Sequence, residues 1–248
     1  MRDVLVLCYH GVSETWPADI AVTPHDLDAQ LQRLVRNGYR GATFTEAVTS
    51  PPSERTLAVT FDDAYLSVLE LAFPILEALE LPGTVFVVTD FADTERSLVW
   101  DGIDMWADGE HADELRGLSW DQLAGLDAAG WEVGSHTRTH PRLTRLSDEA
   151  LDEELAASRA ACERALGHPC RSIAYPYGDV DRRVVAAAGR AGYLTAGSLP
   201  SRLDSNPSVL DWPRIGIYRG DSMGRFGLKT STAVRRLREA VTRRSSSA

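Results

Sequence analysis

Cysteine is scarce: Cys8, Cys162 and Cys170 are the three in 248 residues, and no two stand in a CxxC spacing. That excludes a disulfide-built scaffold and a cysteine-type zinc site, and is the usage of a reducing compartment. No apolar run approaches the roughly 20 residues of a membrane span. The first one, Val4-Leu5-Val6-Leu7-Cys8, is short for a signal-peptide core and has no small-residue cleavage site after it. It reads as a first core strand, so a cytoplasmic protein is expected. No G-x-G-x-x-G follows any strand, which removes the usual sign of a dinucleotide-binding turn. Lysine is nearly absent as well, Lys229 standing alone among 26 basic residues.

What is present is ordinary globular usage. Hydrophobic residues make up 44% and charged residues 25%, which excludes disorder and collagen-like structure. The length suits a single α/β barrel as well as two smaller domains. The net charge of −10 is uneven: Arg225 to Ala248 carries seven basic residues and one acid, which leaves the remainder at −16. An acidic body argues against a nucleic-acid partner.

Short β-rich runs alternate with helical patterns. Strands are expected over Val4–Tyr9, Thr56–Phe61, Gly83–Val88, Trp131–Ser135, Arg171–Tyr175, Tyr193–Ala196 and Arg214–Tyr218. Between them, Thr23-Pro24 marks an N-cap and N1 for a helix ending at Asn37-Gly38. A second helix, kinked at Pro74, is expected from about Tyr65 to Glu80. Ser119 and Gln122 fit a capping box. Ser147 opens a long helix that closes at Gly167, and Asp181 to Gly192 forms another. Parallel strands need such crossovers, so the pattern implies one parallel α/β domain, a barrel rather than an open sheet. The polar stretch Asp90–Gly117, with Trp100 and Trp106, is long enough for a functional loop.

In a parallel α/β fold the reactive groups gather at the carboxyl ends of the strands. Here Tyr9-His10-Gly11 follows the first strand, Asp62-Asp63 the second, and His136-Thr137-Arg138-Thr139-His140 the fourth. Two imidazoles four apart share a face if that segment is helical. With one carboxylate they make a cation site that leaves positions open for water and substrate. Adjacent aspartates suit such a site: one can ligate while its neighbour takes a proton, and without a cation the two would repel.

Thr60-Phe61-Asp62-Asp63, His136-Thr137-Arg138-Thr139-His140 and Tyr175-Pro176-Tyr177-Gly178 resemble, in that order, the first three motifs of the polysaccharide deacetylase family, the NodB-homology carbohydrate esterases. The flanking Leu7-Cys8-Tyr9-His10-Gly11-Val12 and Trp131-Glu132-Val133-Gly134-Ser135 look similar too, so the resemblance runs from about Val4 to Tyr218. It implies a distorted (β/α) barrel with fewer than eight regular strands. On that basis residues 1–222 are expected to form the catalytic domain and 223–248 a basic C-terminal helix and tail. It also implies Asp63, His136 and His140 as ligands of a divalent metal, zinc first, with cobalt, nickel or manganese as substitutes. Asp62 would be the general base, and the Tyr177 backbone N–H an oxyanion donor. The implied reaction is hydrolysis of an N-acyl group, usually acetyl, from an amino sugar. Tyr175, Pro176, Trp100 and Trp106 are the expected substrate-binding residues.

The match is incomplete. Where better-known members carry an arginine before the third motif, this chain has Ala174, and Arg171 is at the wrong strand parity to replace it. Asp211-Trp212 fits the fourth motif only loosely. No histidine follows His168, so the fifth-motif general acid is missing, and His10, on the same rim, is the candidate replacement. These departures keep two other readings open: a deformylase or amidohydrolase of a lipid-linked or non-sugar amide, and a sugar-binding module without turnover. Val234, Leu237, Arg238 and Val241 lie at helical spacing beside Arg235, Arg236, Arg243 and Arg244. Such a tail could rest weakly on anionic lipid or dock on the acidic body.

Overall fold

A computed structural model describes residues 3–94, 96–199 and 207–235. The strands, in chain order, are β1 Asp3–Tyr9, β2 Gly11–Val12, β3 Ala21–Val22, β4 Arg40–Gly41, β5 Arg55–Phe61, β6 Gly83–Val87, β7 Glu132–Ser135, β8 Ser172–Ala174, β9 Thr195–Ser198, β10 Trp212–Pro213 and β11 Ile215–Gly216. The helices are α1 Pro24–Arg36, α2 Phe44–Thr49, α3 Phe73–Ala78, α4 Trp120–Ala128, α5 Asp148–Leu166, α6 Arg182–Ala191 and α7 Met223–Thr230.

Every strand pairing is parallel, and the main sheet runs β10-β9-β8-β7-β6-β5-β1-β11, with β4 beside the lower half of β5. The two edge strands, β10 and β11, are halves of one stretch of chain. Its first half pairs with β9 and its second half with β1, and Arg214 sits between them. That single strand shuts the sheet into a barrel, the distorted (β/α) architecture expected.

Two apolar clusters follow from the alternation of strand side chains. The larger fills the layer between barrel and helices. The smaller lies inside the barrel: Val6, Ala58, Phe86 and Ala174 on the strands meet Phe44, Ala47 and Val48 of α2, which plugs the amino-terminal end. Phe44 N–H donates to Thr84 Oγ1 and Thr45 N–H to Glu132, both at 2.8 Å, so the plug's first backbone donors are satisfied by the barrel floor. Glycine at two inward positions makes room for larger neighbours: a Cβ on Gly134 would lie 2.6 Å from the Phe86 ring, and one on Gly197 2.6 Å from Arg214 Nε.

Most helix signals take the expected form. Thr23, Ser119, Ser147 and Asp181 cap α1, α4, α5 and α6, and Gly167 and Gly192 adopt the left-handed C-cap. Two expectations change. The helix over Tyr65–Glu80 is a wide π-type turn, Val68–Ala72, running into α3; Phe73 N–H reaches back to Val68 C=O, and Pro74 falls in the first turn of α3. The last two expected strands shift: β9 begins two residues late, in register with β8, and the final stretch begins two residues early, at Trp212, where it pairs with β9.

Beyond β11, α7 packs on α1 and buries Phe226. Arg33 holds the Met223 carbonyl at 3.1 Å. Thr232 and Arg235 then bind Asp3, so the start of the tail docks on the acidic body. The positions Arg236, Leu237, Arg238, Val241, Arg243 and Arg244 lie outside the described residues. Among the described residues the three cysteines are buried and unpaired, and no helix is long and apolar enough to cross a membrane.

Candidate metal and catalytic centre

Strand parity delivers the site. Cys8, Thr60, Gly134 and Ala174 occupy neighbouring inward positions, and two residues further on come His10, Asp62, His136 and Pro176. The loops that follow are bent sharply. Asp63, Ala64, Thr137, His140 and Tyr177 all have positive φ, between 58° and 71°. Strain of this kind in residues other than glycine is held by surrounding structure and concentrates at functional sites. It also explains why His136 and His140 converge. The segment between them is not helical, as the four-residue spacing suggested. Left-handed turns at Thr137 and His140 fold the second imidazole back toward the first.

The outcome is one buried constellation. Asp63 Oδ1 lies 3.3 Å from His136 Nε2 and 3.4 Å from His140 Nε2. All three ligand atoms fall within 4.8 Å of one another. Asp63 Oδ1 has no hydrogen-bond partner although it is buried. Donors held about 2.1 Å from a tetrahedral cation would sit about 3.4 Å apart, so this set fits a zinc-type ion and leaves coordination free. His136 Nδ1 lies 2.9 Å from the Ala174 carbonyl. Donating there places the proton on Nδ1 and leaves the Nε2 lone pair facing Asp63.

Asp62 lies beside that set, its Oδ2 4.0 Å from His136 Nε2, and is gripped by Arg214. The guanidinium makes two bonds to the carboxylate, 2.6 Å to Oδ1 and 2.8 Å to Oδ2, and a third of 3.1 Å to Thr60 Oγ1. The Cys8 thiol adds a 3.4 Å contact to Oδ2. Burial alone would raise the Asp62 carboxyl, but Arg214 and His136 overcome it and hold the group well below the usual carboxylate range. Burial pushes His140 down to about 3, so its ring is neutral, the form a cation requires.

Arg214 is the functional residue that sequence reasoning missed. The guanidinium absent at Ala174 comes from the closing strand instead, at the centre of Trp212-Pro213-Arg214-Ile215-Gly216. The signal was an arginine in a short apolar strand beside the loose fourth-motif match. Gly197 makes room for it, since a Cβ there would lie 2.6 Å from Arg214 Nε. Arg171, by contrast, is exposed at the opposite end of the barrel.

The other expected residues separate. His10 faces the site: a ligand atom of its ring lies within 4.8 Å of Cys8 and Asp62, and its Nδ1 is buried without a partner. Tyr177 meets His140 edge-on at 4.7 Å, and Arg142 covers its ring at 4.2 Å. Trp100 stacks on His140. Trp106 packs on Trp16 and His111. Tyr175 is fully buried, with its hydroxyl given to the Leu210 carbonyl, and Pro176 is buried beside it. Tyr175 is therefore a core residue and offers no surface to a substrate.

The polysaccharide deacetylase family profile matches residues 49–196. The chain belongs to the polysaccharide deacetylase family. Among its relatives, YxkH of Bacillus subtilis (strain 168) is 23% identical over 228 residues, covering 90% of this chain and 74% of that protein. The poly-beta-1,6-N-acetyl-D-glucosamine N-deacetylase of Staphylococcus aureus (strain N315) is 24% identical over 173 residues, 65% of this chain and 54% of that protein. The solved structure of the Streptococcus pyogenes deacetylase PplD, in complex with acetate, superposes with a TM-score of 0.77 at 22% identity. It covers 92% of this chain and 98% of its own, and shows a shared fold. In this polysaccharide deacetylase, Cys8, His10 and Arg214 all fall outside the matched segment.

Proposed function

We propose that this chain is a divalent-metal-dependent hydrolase that removes an N-acyl group, acetyl first, from an amino sugar. One observation carries the reading. Three donors, Asp63, His136 and His140, meet at a buried point, with a second carboxylate, Asp62, alongside them and held by an arginine. The named substrate of the Staphylococcus aureus relative makes N-acetylglucosamine polymers the first class to try.

When bound, a divalent ion at these donors would polarise the acyl carbonyl and acidify a water. Asp62 takes the proton of the attacking water. Arg214 keeps that carboxylate charged and fixes its plane, so the accepting lone pair is aimed before substrate arrives. The left-handed turn at Tyr177 presents its peptide N–H to the oxyanion as the carbonyl becomes tetrahedral. His10, with an unpartnered Nδ1 on the same rim, supplies the proton to the leaving amine. A silent binding module draws on two departures, the arginine-free third motif and the missing fifth-motif histidine, and Arg214 on Asp62 removes the first of them.

The test is acetate release from N-acetylglucosamine oligomers by the zinc-loaded chain. Asp62→Asn should lower kcat by at least about 10²-fold with the metal content unchanged. Full turnover in that variant, or no release from any N-acetylated sugar by the native chain, would sink the proposal.

A further inference from the structure

The two histidines are steadied by different means. A ligating imidazole ordinarily gives its second N–H to a carboxylate, a carbonyl or water, which fixes both tautomer and orientation. His136 has the Ala174 carbonyl for this. His140 has nothing comparable: its Nδ1 is buried and without a hydrogen-bond partner among the described residues. Its ring is packed instead. Trp100 lies almost flat upon it, with centroids 4.1 Å apart and planes 22° from parallel. Tyr177 and His136 meet it edge-on at 4.7 and 4.9 Å.

Trp100 is itself well anchored. Phe91 abuts its ring edge-to-face at 5.6 Å. Its carbonyl accepts the N–H groups of Ile103 and Asp104, both at 3.1 Å, and the loop is pinned at its base by Leu98 N–H to Leu115 C=O at 2.8 Å. Leu98, Ile103 and Leu115 are buried in the main core. The indole is thus a rigid platform on a loop that is otherwise polar.

We propose that Trp100 is a positioning residue for the metal centre, aiming His140 Nε2 at the cation by ring stacking where His136 uses a carbonyl. The inference rests on the metal-dependent reading above. It also gives Trp100 a role besides the sugar stacking expected of it, since one face of the indole is covered by His140.

The experiment titrates the full-length, metal-free chain with zinc against a chromophoric chelator, and measures kcat and KM at saturating zinc. Trp100→Ala should weaken zinc binding tenfold or more, the effect typical of losing a group that orients a ligand, with KM near native. Trp100→Phe, which keeps a flat ring, should restore most of the affinity. Trp100→Leu, which fills space without stacking, should not, and it serves as the folded control should Trp100→Ala fail to fold. Native zinc affinity in the Ala or Leu variant overturns the proposal. So does a raised KM with unchanged zinc affinity, which would return Trp100 to substrate binding. If the native chain itself binds no zinc, this inference and the metal-dependent reading fall together; if it binds zinc and the variants match it, this inference alone is lost.

Discussion

Replacing Arg214 with glutamine should disarm the proposed base without touching a cation ligand. The native pair is withdrawn from water on both sides and joined by bonds of 2.6 and 2.8 Å. Removing one partner of a buried pair costs about 3–5 kcal/mol, because the remaining charge is left uncompensated. An amide keeps one donor near the carboxylate, so the lower figure of about 3 kcal/mol applies. Asp62 escapes part of that cost by taking up a proton, and about 3 kcal/mol is worth about two pH units on a titration. In the native chain the carboxyl is depressed, so its contribution is present at every pH above about 4 and is lost as pH falls through stronger acid. A rise of about two pH units carries the variant's carboxyl back toward the ordinary carboxylate range, so that contribution is gone. Thermal unfolding from about pH 5 to pH 8 should therefore be flat in this respect for both chains, with the difference between them closing only as pH falls below about 4. Across the flat window the variant's Tm should be lower by roughly 6–12 °C for a chain of this size. The acid limb of kcat/KM for acetate release should move up by about two pH units. A variant with the native acid limb and the native Tm would refute the assignment of Arg214 as the partner that sets Asp62.

Three further outcomes are expected. Gly197→Ala places a Cβ 2.6 Å from Arg214 Nε, so the pH profile should shift in the same direction as Arg214→Gln but less; an unmoved profile would mean that the glycine is not what accommodates the guanidinium. His10→Gln should lower kcat by about 10²-fold with little change in KM or zinc content, and 4-nitrophenyl acetate, whose phenolate leaves without a proton, should be spared; equal losses on both substrates would remove His10 as the acid. Arg235→Ala withdraws a cation from Asp3. Burial would raise that carboxyl, but bonds from Thr232 and Tyr39, with the Arg235 charge, keep it below its ordinary value. The variant should lose about 1–2 kcal/mol at neutral pH, with the difference closing as pH falls toward 3; a denaturant titration that finds equal stabilities at pH 7 would show that this contact does not hold the tail's first turn.

Much of this was legible from residue order alone. The strand-to-helix alternation, the caps at Thr23, Ser119, Ser147 and Asp181, and the grouping of Asp62-Asp63 with His136 and His140 all depend on short-range patterns. What stayed hidden depends on closure and on strain. Arg214 meets Asp62 across 152 positions of sequence, and its inward parity is decided only once Trp212–Gly216 pairs with β9 and β1 together. The convergence of the imidazoles needs positive φ at Thr137 and His140, and for a β-branched threonine that conformation is an outlier no pattern announces. The role of Trp100 was obscured for a third reason. An aromatic in a polar loop can stack on a sugar or on a side chain, and the contact with His140 is made across 40 positions of sequence by a loop whose path no local pattern gives.

The strand that seals the cylinder also delivers the guanidinium, and this couples maturation of the chemistry to the last stage of assembly. A nascent chain that has emerged only as far as β9 presents two unpaired edges, on β1 and β9, which invite pairing with other chains. It also carries an aspartate with no counter-charge at the mouth of an open sheet. Docking of residues 212–216 cures both faults in one event. Trimming from the carboxyl terminus should therefore be far less forgiving ahead of Trp212 than a shaved tail would suggest, with insolubility and loss of turnover arriving at the same cut.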